Sequence, residues 1–134
     1  MAFEKNNHIK KVILPAQLKI IEKRAFNTCE KLEQVKVKIP TSVTYIGNSA
    51  FNMDINLLLA SLPDSLTEIG EWAFWGCKSL TNINIPNSVT TIGDSAFCYF
   101  ESLTNINIPN SVTTIGDWGL GRANPSPASQ FRIA

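Results

Sequence analysis

The stretch Ser79–Asp94, SLTNINIPNSVTTIGD, recurs letter for letter as Ser102–Asp117, at an offset of 23 residues. A fixed period in this range marks a solenoid, a propeller or a repeat array. Weaker copies surround the identical pair. Leu14-Pro15, Ile39-Pro40, Leu62-Pro63, Ile85-Pro86 and Ile108-Pro109 mark one point of successive units. Ten residues after each proline stands a small residue followed by a large apolar one: Ala25-Phe26, Ala50-Phe51, Ala73-Phe74, Ala96-Phe97 and Gly119-Leu120. Ala2-Phe3 precedes Pro15 with the same spacing that Ala96-Phe97 has to Pro109, so the pattern is running at residue 2. We assign residues 2–120 to a solenoid of 23–25-residue units and residues 121–134 to a non-repeat tail. Repeats build surfaces. A near-perfect repeat does not supply the few unlike residues, asymmetrically placed, that catalysis needs.

One unit can be read as physics. In Leu80–Phe97 the alternation Asn82-Ile83-Asn84-Ile85 has period two, which turns the isoleucines to one side and the asparagines to the other. Pro86-Asn87-Ser88 reads as a turn with proline at its second position. Val89 and Ile92 mark a second short strand, Gly93 permits a bend, and Asp94 reads as the N-cap of a helical turn carrying Ala96 and Phe97 inward. No such coil buries its apolar side alone, so neighbours must stack. The strand Leu32–Ile39 is two residues longer than its counterparts, an insertion that preserves the phase of Val35, Val37 and Ile39 inward and Lys36 and Lys38 outward.

The run IPNSVTTIGDSAF, with Ala-Phe followed in two units by Cys29 or Cys77, resembles the BspA-like (Treponema-type) leucine-rich repeat over residues 2 to 120. Gly47, Gly70, Gly93 and Gly116 fill the glycine column, where the first unit has Glu22; Asn6, Asp54, Phe100 and Ala123 replace the cysteine elsewhere. The resemblance implies an α/β solenoid: a right-handed coil with a concave parallel sheet of about five short strands, short convex strands and helical turns. It also implies protein–protein interaction or adhesion, at a cell surface or after secretion, although no signal peptide is visible in MAFEKNNHIKKVILP.

Composition narrows the alternatives. The 134 residues suffice for one domain, the net charge is +1, and no apolar run reaches membrane-spanning length. Neither nucleic acid nor membrane insertion is expected. Charge is uneven: residues 1–40 hold nine Lys/Arg and four Glu, and the remainder three basic and seven acidic residues. That is either drift between solvated repeats or a polarity that orients an acidic partner at the N-terminal end.

Several constellations bear on chemistry. Cys29, Cys77 and Cys98 fit no zinc spacing, and Cys29 and Cys77 share a column two coils apart, too far for a disulfide, so both are expected as buried small hydrophobes. His8 is the only histidine and has no nucleophile to serve. The column Lys23, Asn48, Glu71, Asp94, Asp117 could hold a hard cation, but helix caps require the same residue types. We expect no catalytic residue, no metal and no cofactor.

Two surfaces remain. On the concave face the outward strand positions are Lys11, Ile13, Lys36, Lys38, Leu59, Ser61, Asn82, Asn84, Asn105 and Asn107; the polar ones, Lys11, Lys36, Lys38, Ser61, Asn82, Asn84, Asn105 and Asn107, are candidate contacts. Trp72, Trp75, Tyr99 and Trp118 form the second candidate, an aromatic ridge at positions that other units fill with Ser or Asn. The expected partner is a protein or a glycan. The tail reads as an extended or disordered segment in which Phe131 and Ile133 could dock as a small cap, and uncapped ends would favour self-association. A spacer or surface-array element without its own ligand is the other reading.

Overall fold

In a computed structural model the chain is described over residues 2–32, 37–119 and 130–133. Among these residues ten short strands occur in two stacks. The first stack contains β2 (Val37–Lys38), β4 (Leu59–Ser61), β6 (Asn82–Asn84), β8 (Asn105–Ile108) and β10 (Gln130–Ile133). The second contains β1 (Ile20–Ile21), β3 (Tyr45–Ile46), β5 (Glu68–Ile69), β7 (Thr91–Ile92) and β9 (Thr114–Ile115). All pairings are parallel, and consecutive strands of one stack belong to consecutive coils. The second stack is one five-stranded sheet; the first is split into β2-β4 and β6-β8-β10.

Each coil is closed by turns whose chemistry the sequence specifies. The Val89 N–H donates to the Pro86 carbonyl at 3.1 Å, and the same bond recurs at Pro15, Pro40, Pro63 and Pro109. Proline is therefore the first residue of this turn and not its second. It ends the preceding strand, where its missing N–H costs nothing. After the second strand the Ala96 N–H donates to the Gly93 carbonyl at 3.3 Å, and this bond also recurs in every described coil.

The helical turns expected after each glycine do not form; no helix occurs among the described residues. The reason is where the N–H groups go. Ser95 and Phe97 donate to Asp117 and Gly119 of the next coil, both at 3.0 Å, instead of back along their own segment. Left-handed residues recur in each segment, among them Ser95 (φ 52°) and Tyr99 (φ 59°), and such residues end a right-handed helix. The N-cap reading of Asp94 fails with the helix. Its Oδ1 accepts the Asp117 N–H one coil on, at 2.9 Å, as Asn48 Oδ1 accepts the Glu71 N–H at 3.1 Å.

The core lies between the two stacks. Ile21, Ile46, Ile69 and Ile92 are buried in register, as are Ile83, Ile85, Ile106 and Ile108. Phe3, Phe26, Phe51, Phe74 and Phe97 stack with ring centroids 5.3–5.6 Å apart and planes within 14° of parallel. Such contacts add about 0.5–1.5 kcal/mol each beyond the area they bury. The glycine column has a steric cause. A Cβ at Gly93 would lie 2.5 Å from the Glu71 nitrogen, and one at Gly47 2.6 Å from the Lys23 nitrogen, each in the coil before. In the first unit this column is filled by Glu22, which is exposed.

Two expectations about the first unit change. Residues 9–15 form no strand, and among the described residues of Leu32–Ile39 the strand is Val37–Lys38. The register shifts between Val37 and Lys38 on pairing to β4, where Ala60 is passed over. In the tail, Gln130–Ile133 pairs with Asn105–Ile108 and adds a fifth strand to the first stack.

Candidate functional site

The aromatic ridge is built by the turn that follows each second strand. Its third position reads Arg24, Ser49, Trp72, Ser95, Trp118 along the stack, and all five residues have φ between 52° and 57°. This conformation costs a residue with a Cβ roughly 1–2 kcal/mol. The backbone there is held by neighbouring coils. Trp72 donates its N–H to the Asp94 carbonyl at 2.8 Å, and the Trp118 carbonyl accepts the Cys98 thiol at 2.8 Å. Trp72 is 46% exposed and Trp118 66%, so the strain is not offset by full burial.

A second pair lies beside them. Trp75 is half-buried and its ring sits 4.9 Å from that of Tyr99, tilted by 56°. Tyr99 is 55% exposed. Gly76, at φ +71°, leaves room for the Met53 thioether, which an added Cβ would meet at 2.7 Å. The four candidate aromatics are thus two exposed indoles in one column and a packed Trp–Tyr pair in the next columns.

Carboxylates accompany the ridge. Glu71, Asp94 and Asp117 immediately precede Trp72, Ser95 and Trp118, and all three are exposed. Between Lys38 and Arg122 the sequence contains one basic residue, Lys78. Its Nζ pairs with Glu101 at 2.8 Å. The column offered as a cation site serves as a hydrogen-bond ladder between coils, and among the described residues no group of three His, Cys, Asp or Glu is arranged to hold a metal.

The first strand stack presents the other candidate face. Lys38, Ser61, Asn82, Asn84, Asn105 and Asn107 are all exposed. Asn82 aligns with Asn105, and Asn84 with Asn107. The alignment continues to Gln130 and Arg132 in β10, two positions the repeat reading left out. Their signal was present: Gln130-Phe131-Arg132-Ile133 alternates as Asn105-Ile106-Asn107-Ile108 does. Lys11 stands outside any strand. It joins Lys38 at a cleft of about 470 Å³ also walled by Val12, Ile13, Leu14 and Pro40. Lys36 lies outside the described residues.

The cysteines are all buried, and none forms a disulfide among the described residues. Cys29 donates to the Phe3 carbonyl at 3.0 Å and Cys77 to the Phe51 carbonyl at 3.1 Å. Burial pushes the Cys29 thiol up to about 11, with the neighbouring Asp54 adding to the rise, and raises that of Cys77 well above its ordinary value. His8 is exposed, its backbone N–H held by Asn6 Oδ1.

The model of the BspA type leucine rich repeat region matches residues 1–121 in six copies. A leucine-rich repeat protein from Bacteroides ovatus is 37% identical with a TM-score of 0.69, over 75% of this chain and 25% of its own. The T. pallidum leucine-rich repeat protein TpLRR is 37% identical with a TM-score of 0.75, over 81% of this chain and 52% of its own. The chain therefore spans between a quarter and about half of those proteins. No curated protein matches. Repeat spacing, parallel stacked strands and these matches agree: the chain belongs to the BspA-type leucine-rich-repeat family.

Proposed function

We propose that this chain is a non-catalytic binding module, acting in protein–protein interaction or adhesion, and that the aromatic ridge is its contact surface. The observation that carries the reading is the placement of Trp72 and Trp118. Both stand in a left-handed turn position where serine serves in the neighbouring coils, and both remain about half or more exposed. The backbone strain is the same for the serines, so what each tryptophan adds is exposed apolar area, for which stability alone gives no return. Rigidly held, solvent-facing indoles are what protein interfaces use as anchors. The asparagine face is compatible with contact but repeats itself, and a duplicated surface carries little selectivity.

The test is selection from a displayed peptide library followed by the double substitution W72S/W118S. The doubly substituted chain keeps its circular dichroism spectrum and loses the selected binders by about tenfold or more, the scale expected for two interface anchors. Binders that survive the double substitution would move the contact surface elsewhere. Selection that returns no binder at all would favour a spacer in a longer array.

A further inference from the structure

We infer that the ridge receives a cationic side chain, an arginine or lysine of a basic peptide segment, seated over Ser95 between Trp72 and Trp118. The inference rests on the binding role proposed above and names its partner chemistry. Three observations lead to it.

The first is spacing. Trp72, Ser95 and Trp118 occupy one turn position in three consecutive coils. At the roughly 4.8 Å separation of paired strands, a group over Ser95 stands about 5 Å from each indole column, inside the roughly 6 Å reach of a cation–π contact. Serine is small enough to leave that gap open.

The second is charge. Glu71, Asp94 and Asp117 each directly precede a member of the slot, and all are exposed. The only basic residue between Lys38 and Arg122 is Lys78, which is paired with Glu101. The slot thus has two indoles and three carboxylates, and the one basic residue among the described residues of its coils, Lys78, is already paired with Glu101. An anionic ligand would meet repulsion there. A neutral glycan could stack on the indoles but would make no use of the charge.

The third is polarity along the ridge. In the first coil the same two columns hold Lys23 and Arg24 in place of an acid and an indole. The ridge changes sign from one end to the other, so a basic segment is directed to the C-terminal coils and kept from the N-terminal one.

The probe is the peptide Gly-Ser-Arg-Gly-Arg-Ser-Gly, with its glutamine analogue and maltohexaose as controls, titrated against the full chain by tryptophan fluorescence and calorimetry. The arginine peptide binds, weakens as salt is raised, and binds about tenfold more tightly than the glutamine analogue, as two cation–π contacts imply. W72S/W118S abolishes binding, and Glu71→Gln with Asp117→Asn lowers the affinity and flattens the salt dependence. Equal binding of the glutamine analogue, or binding of maltohexaose alone, overturns the inference. So does a dimer that W72S/W118S dissolves, since a second copy would then cover the ridge. Library binders that need the two tryptophans but carry no basic residue also overturn it while leaving the binding role standing; an absence of tryptophan-dependent binders removes both.

Discussion

Asp54 stands in the column that carries Cys29 in the coil before and Cys77 in the coil after. It is fully buried; its Oδ1 accepts the Cys29 N–H at 2.6 Å, while its Oδ2 has no hydrogen-bond partner. Burial pushes its carboxyl from 3.8 up to about 8, although the Cys29 N–H works the other way. The folded chain therefore holds a proton that the unfolded chain has released between about pH 4 and pH 8. Stability from this group is greatest below that window and falls as pH rises through it, by about 1.4 kcal/mol per unit. Asp54→Asn keeps an acceptor for Cys29 and removes the ionisation. Urea unfolding across pH 4 to 8.5 should show the downward slope in the parent chain and its loss in the variant, with the variant the more stable at the alkaline end. An unchanged slope would mean that the proton resides elsewhere. The sequence marked this position only as a missing cysteine; nothing in its neighbours reveals that a carboxylate is enclosed there, because the enclosing atoms belong to other coils.

Among the elements, the strands after the first coil were legible and the turns only half so. Period-two alternation in Asn82–Ile85 depends on local sequence and reappears as the burial of Ile83 and Ile85 with Asn82 and Asn84 exposed. The segment after Gly93 looks helical when read locally, since Asp, Ser, Ala and Phe suit a capped turn. Its hydrogen bonds go to residues one coil away, a partner that no local window contains. The same non-locality explains why glycine is required at Gly93. A Cβ at Gly93 would press on the Glu71 nitrogen at 2.5 Å and on the carbonyl carbon of Gly70 at 2.7 Å. These are backbone atoms of a paired strand end and cannot swing aside. Gly93→Ala should cost about 1–3 kcal/mol or more, as overpacking does. Glu22→Ala should stay within about 0.5 kcal/mol, since Glu22 is exposed. Denaturant midpoints of the two variants decide the matter; equal losses would remove the steric account of the glycine column.

At the scale of the molecule, the coil is a one-dimensional stack in which each unit touches mainly its neighbours, so stability is close to a sum of units and junctions. The exact duplication of Ser79–Asp94 turns that property into an instrument. Deleting residues 79–101 removes one period and joins Lys78 to Ser102, which begins the identical run. Strand phase, the proline turn and the glycine column all carry across the junction. The shortened chain should keep its β spectrum, with a lower midpoint and a denaturant slope reduced in step with the surface it no longer buries. What changes is the ridge. Ser95 is lost, and Trp118 moves from two coils beyond Trp72 to the adjacent one, so the separation falls from about 10 Å to about 5 Å and the slot closes. The arginine peptide should then fail to bind although both tryptophans remain. In the undeleted chain, Ser95→Trp fills the same slot without altering the number of coils and should fail in the same way. Retained binding in either variant would show that the indoles act singly, as isolated anchors. Loss in both would tie recognition to the interval between coils, the quantity that the repeat itself sets.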